Sequence, residues 1–84
     1  MTELESKISF YRLLKDEPIG YKENLRSKFQ NIGGQDFDEI YRSSMLVGLL
    51  QAGVDGTFEK RYKVTELGKK QIIAFIELDD YLNN

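Results

Sequence analysis

The chain has 84 residues, 40% apolar and 31% charged, the balance of one small soluble domain with a thin margin of stability. It has no cysteine, histidine or tryptophan, which excludes disulfides and thiolate metal sites and removes the commonest general base and zinc ligands. The formal net charge is −2, but the positive charge is segregated into two blocks, one at Lys22, Arg26 and Lys28 and one at Lys60, Arg61, Lys63, Lys69 and Lys70.

No run of about 18 apolar residues exists, so no membrane span is expected. The acidic start MTELESKIS lacks the apolar stretch of a signal peptide, and a cytoplasmic location is the expectation.

The first predicted helix covers residues 2–14. Thr2 followed by Glu5 is a capping-box pattern, and Leu4, Ile8, Tyr11 and Leu14 form one stripe, with Phe10 and Leu13 beside it. Pro18 and Gly20 break the chain. A short second helix is predicted over 21–29, with Leu25 and Phe29 on one face. The run from Gln30 to Gly34 is a turn with two glycines.

A third helix is predicted from residue 35 or 36 to residue 52. Its acidic start complements the helix dipole, and Phe37, Ile40, Tyr41, Ser44, Val47 and Gly48 share a face. Gly53 marks the expected stop, and Val54-Asp55-Gly56 a turn. Residues 57–65 read as extended, with β-favouring Phe58, Tyr62 and Val64 between charged positions, as one strand or a bent hairpin. The last helix is predicted over 66–82, with Thr65 as its cap. Gly68 falls in its first turn, where glycine costs about 1 kcal/mol against alanine.

Two stretches carry a resemblance. Leu49-Leu50-x-Ala52-Gly53-Val54 resembles the end of a recognition helix, and Tyr62-x-Val64-Thr65-x-x-Gly68 resembles the return strand of a wing entering a final helix. Together they resemble a winged-helix (winged helix-turn-helix) domain of the kind found in MarR-like and PadR-like transcriptional regulators. The likeness covers residues 5–75 in element order, with local motif support in the second half only. It implies a mostly α, α+β fold of three helices, a short β wing and a C-terminal helix, with the threonine as cap and the glycine allowing close packing.

The same resemblance implies binding of double-stranded DNA, with the third helix in the major groove and the wing on the backbone. The side of that helix opposite its apolar stripe holds Gln35, Glu39, Arg42, Ser43 and Leu46. Arg42 would read guanine, Gln35 adenine, and Ser43 a base edge or phosphate. Lys60, Arg61 and Lys63 would be wing phosphate contacts, with Lys22, Arg26 and Lys28 of the second helix adding more. The sequence departs from this pattern at Asp36, Asp38 and Glu39, which put carboxylates where a reading helix comes closest to DNA.

Apolar residues also spread round the helices beyond what a core of this size needs. Leu13, Phe75, Leu78, Tyr81 and Leu82 are the expected interface of a homodimer that pairs the first and last helices. The same excess also fits a winged helix that recognises a protein partner instead of DNA. No catalysis or cofactor is expected. The acidic clusters are neighbours on single helical turns, not opposed carboxylates, and no phosphate-binding glycine motif or metal-ligand spacing is present.

Overall fold

The computed structural model describes residues 2–53 and 60–83. Among them the order is α1 (Glu3–Asp16), β1 (Ile19–Tyr21), α2 (Lys22–Asn31), α3 (Phe37–Leu46), β2 (Leu50–Ala52), β3 (Arg61–Val64) and α4 (Glu66–Leu82). The three strands form one antiparallel sheet in the order β1-β3-β2. The fold is thus mostly helical with a small sheet, in line with the expected α+β class. No helix of the described residues is long and apolar enough to cross a membrane.

The capping box at the start of α1 forms: Glu5 N donates to Thr2 Oγ1 at 3.1 Å, and Thr2 N donates to the Glu5 carboxylate at 3.2 Å. The predicted stripe of α1 shifts. Leu4 is 63% exposed, whereas Phe10, placed beside the stripe by the sequence, is fully buried. The reason is that α1 packs on both α4 and α2, so it buries a wide arc rather than a line. Phe10 meets Phe29 of α2 edge-on at 5.7 Å and Phe37 of α3 at 6.0 Å. Tyr11, Leu14, Leu25, Tyr41, Leu49, Leu50, Tyr62, Val64, Ile72 and Ile76 complete the core among the described residues.

Two other expectations are corrected. The break at Pro18 and Gly20 contains a strand, β1, whose residues Ile19, Gly20 and Tyr21 pair with Lys63, Tyr62 and Arg61. Proline is tolerated there because it stands just before an edge strand, and its carbonyl accepts from Val64 N at 2.8 Å. The third helix stops at Leu46, six residues before the predicted end at Ala52. Gly48 takes φ +79°, Leu49 N donates to Ser44 O at 2.9 Å and Gly48 N to Met45 O at 3.2 Å. That double closure is a Schellman end, with Gly48 rather than Gly53 as the left-handed residue. Leu50, Gln51 and Ala52 then pair with Val64, Lys63 and Tyr62 as a strand.

The junction from β3 to α4 is direct, as expected. Thr65 Oγ1 accepts from Gly68 N at 2.9 Å and donates to Gly48 O at 2.6 Å, while Thr65 N donates to Leu49 O at 3.1 Å. One hydroxyl therefore caps α4 and fastens it to the end of α3. Gly68 is buried, and a Cβ on it would collide with the Leu49 carbonyl oxygen. Close backbone approach thus explains the glycine. The predicted Asp55-Gly56 turn and the strand position of Phe58 fall in residues 54–59, outside the described residues.

Candidate nucleic-acid interface

The side of α3 away from the core is open. Gln35, which precedes the helix, and Glu39, Arg42, Ser43 and Leu46 are all exposed, Leu46 to 81%. These are the residues the helical periodicity assigns to that side. They do not converge on one point. Gln35 and Ser43 line a cleft of about 270 Å³ between α3 and α1, together with Glu3, Lys7, Asp36 and Glu39. Arg42 lines a separate depression toward α2, with Arg26 and Gln30. Asp36 and Glu39 border both.

The cations of α2 are engaged within the fold. Arg26 donates to the Asp38 carboxylate at 2.8 Å, pairs with Glu23 at 3.3 Å, and lies 4.8 Å from the ring centre of Phe37. Lys22 lies 5.0 Å from the ring of Tyr41 and 4.0 Å from Asp38. Lys28 bonds to Glu17 at 2.6 Å. The hydrogen bond from Arg26 holds the Asp38 carboxyl below the usual carboxylate range, helped by the charges of Arg26, Lys22 and Arg42. Burial pushes the Tyr41 phenol beneath Lys22 up to about 12. Asp38, in the acidic first turn of α3, is therefore the counter-charge that ties α2 to α3.

On the sheet, side chains alternate across the two faces. Tyr62, Val64 and Leu50 point into the core, and Tyr62 Oη donates to Glu17 O at 2.7 Å. The phenol of Tyr62 is raised by burial first and by the charge of Glu17 second. The outward positions are Ile19 and Tyr21 on β1, Arg61 and Lys63 on β3, and Gln51 on β2. Arg61 Nη2 donates to Tyr21 Oη at 2.5 Å, and its guanidinium lies 4.6 Å from the Tyr21 ring centre. Lys63 is exposed and makes no ion pair among the described residues. Lys60 is exposed at the rim, where its carbonyl accepts from Lys22 N at 2.8 Å. Ile19, Tyr21 and Gln51 were not singled out from sequence. For Ile19 and Tyr21 the alternation Ile19-Gly20-Tyr21 was the only local signal, masked by the breakers around it, and Gln51 lay inside the predicted third helix.

Of the residues expected at a dimer interface, Leu13 is half-buried against the core, and Phe75 packs on Tyr11 of the same chain at 5.5 Å while staying 40% exposed. Leu78, Tyr81 and Leu82 are 55%, 79% and 71% exposed along the last two turns of α4. Beside them Arg12 bridges Asp79 at 3.1 Å and Asp80 at 2.6 Å, joining α1 to α4 within the chain.

Comparison with family models, with curated proteins and with solved structures finds no match.

Proposed function

We propose that the chain is a winged helix-turn-helix protein that binds double-stranded DNA as a homodimer and regulates transcription. What supports this first is topology: the order helix, strand, helix, helix, strand, strand, helix, with β3 between β1 and β2, is compatible with such a domain. The observation that carries DNA binding is the pairing of a polar, exposed outward side of α3 with a β2–β3 ribbon whose solvent side is cationic. Arg42 and Ser43 would face the major groove, with Gln35 at its edge. Lys60, Lys63 and Arg61 would contact phosphates from the wing. Lys22, Arg26 and Lys28 would add to the field only after exchanging a carboxylate for a phosphate, so they take a secondary part. Exposed Leu78, Tyr81 and Leu82, together with Phe75 and Leu13, would form the dimer seam.

A second reading, recognition of a protein partner, has its own support. Asp36 and Glu39 border both depressions beside α3, and the α2 cations are already neutralised. That surface repels phosphate and suits a basic protein segment.

Fluorescence anisotropy on labelled mixed-sequence duplex DNA at about 50 and 200 mM salt separates the two. Binding that weakens steeply with salt, and that Arg42→Ala reduces, is the expected outcome. Absence of duplex binding at the lower salt would move protein recognition into first place.

A further inference from the structure

The outward face of the sheet brings cationic and aromatic side chains together. Its five side chains are Ile19, Tyr21, Arg61, Lys63 and Gln51, and no carboxylate occupies an outward position of the described strands. On a chain whose formal net charge is −2, that segregation is specific. Tyr21 is 48% exposed and Ile19 55% exposed, so apolar and aromatic area stands in water beside two cations. The Tyr21 ring is also oriented. Its cross-strand partner Arg61 lies against it and hydrogen-bonds its hydroxyl, so the side chain gives up little freedom when it is covered.

We propose that this face binds single-stranded nucleic acid. A sheet that offers a half-open aromatic ring backed by a guanidinium gives an unpaired base a stacking surface. Lys63, in the central strand between Ile19 and Gln51, supplies a phosphate contact, and Lys60 adds charge at the rim. Gln51 offers both a donor and an acceptor to a base edge. Residues two apart on one strand stand roughly 6.6 Å apart, so Ile19 and Tyr21 span about two nucleotides. A paired duplex cannot use the ring, because its bases are already stacked on each other. The occupant is thereby distinguished from the double-stranded DNA proposed for α3 and the wing, although Lys60, Arg61 and Lys63 would serve both, and the Tyr21 ring is what separates them.

The chain contains five tyrosines and no tryptophan, so stacking on Tyr21 is readable as quenching of tyrosine emission. The experiment titrates an oligo(dT) 12-mer and a duplex of the same length into the wild type, Tyr21→Ala, Tyr21→Phe and Lys63→Gln, at about 50 mM salt, by anisotropy and tyrosine fluorescence. Tyr21 makes no side-chain cap bond to α2, and far-UV circular dichroism checks that each variant folds. The single strand is expected to bind with quenching. Tyr21→Ala should weaken it by about tenfold or more and remove the quenching, Tyr21→Phe should retain both, and Lys63→Gln should lower the salt slope by about one contact. Duplex affinity should not depend on the Tyr21 ring. The proposal is overturned by no single-strand binding, by binding that Tyr21→Ala leaves unchanged, or by a loss that falls equally on the duplex. Competition by poly-glutamate as effective as that by oligo(dT) would also overturn it, in favour of an acidic peptide. Failure of duplex binding alone would remove the role proposed for α3 and leave this face standing.

Discussion

Gly68→Ala tests whether the junction between β3 and α4 is understood. On an unencumbered helix the change would stabilise by about 1 kcal/mol, since alanine is the better helix former. Here the added methyl would collide with Leu49 O and stand 3.0 Å from Leu49 C and 3.1 Å from Val64 Cγ1. Two of those three atoms are backbone, which cannot swing aside as a side chain can. Overpacking of this kind costs about 1–3 kcal/mol. Pushing α4 away also lengthens the bond from Thr65 N to Leu49 O, now 3.1 Å, for roughly another 1 kcal/mol. After the propensity gain is subtracted, the net loss is about 1–3 kcal/mol. Urea unfolding followed by circular dichroism measures it. With a slope near 1 kcal/mol per molar, the midpoint should fall by about 1–3 M. Gln71→Ala, at an exposed position of the same helix, should move it by no more than about 0.5 M. A Gly68→Ala protein as stable as the wild type, or more so, would refute the close-approach account of this glycine.

Two further outcomes are expected. The Asp38 carboxyl is held low in the folded state by Arg26, so its contribution is present above the unfolded carboxylate value near 4 and is lost as pH falls through the lower folded value. Asp38→Asn should therefore narrow the difference between urea midpoints at pH 7 and at about pH 2.5, and an unchanged difference would remove the Arg26 pair from the account of acid stability. Leu78→Asp places a charge on the exposed side of α4 and should convert a dimer to monomers in sedimentation; a wild type that sediments as a monomer, or a variant that stays dimeric, would take α4 out of the interface.

The starts of α1 and α4 were legible because each carries a side-chain cap, and caps are written in three or four consecutive residues. Thr2 with Glu5, and Thr65 ahead of Gly68, needed no knowledge of tertiary contacts. The end of α3 was not legible for the opposite reason. From Met45 to Leu50 the sequence is almost continuously apolar, and such a run is as compatible with a buried strand as with a helix. Gly53 was read as the stop and Gly48 as part of the helix face, whereas the end at Gly48 depends on a contact far along the chain. The hydroxyl of Thr65 binds the carbonyl of Gly48, which is available only if the helix has already ended. β1 was hidden in the same way: three residues have no periodicity to detect, and only pairing with β3 makes them a strand.

The candidate site followed a similar division. Periodicity alone put Gln35, Glu39, Arg42, Ser43 and Leu46 on the outer side of α3, and all are exposed. What periodicity cannot supply is which charges meet. The sequence presents the basic block of α2 and the acidic turn of α3 as two opposed signals, one attracting DNA and one repelling it. In the fold they are a single feature, because Arg26 and Lys22 both reach Asp38 across the helix–helix contact. Their charges largely cancel at the distance of an approaching phosphate. Lys63 of the ribbon stands exposed on the side away from the core, and Tyr21, which the sequence placed at the start of the second helix, stands against Arg61 on the same face. If the chain binds nucleic acid as proposed, the outward face of the sheet is a better centre for that attraction than the start of α3. Asp38→Asn discriminates sharply: by releasing Arg26 and Lys22 it should strengthen duplex binding severalfold while leaving oligo(dT) binding on the Tyr21 face almost unchanged.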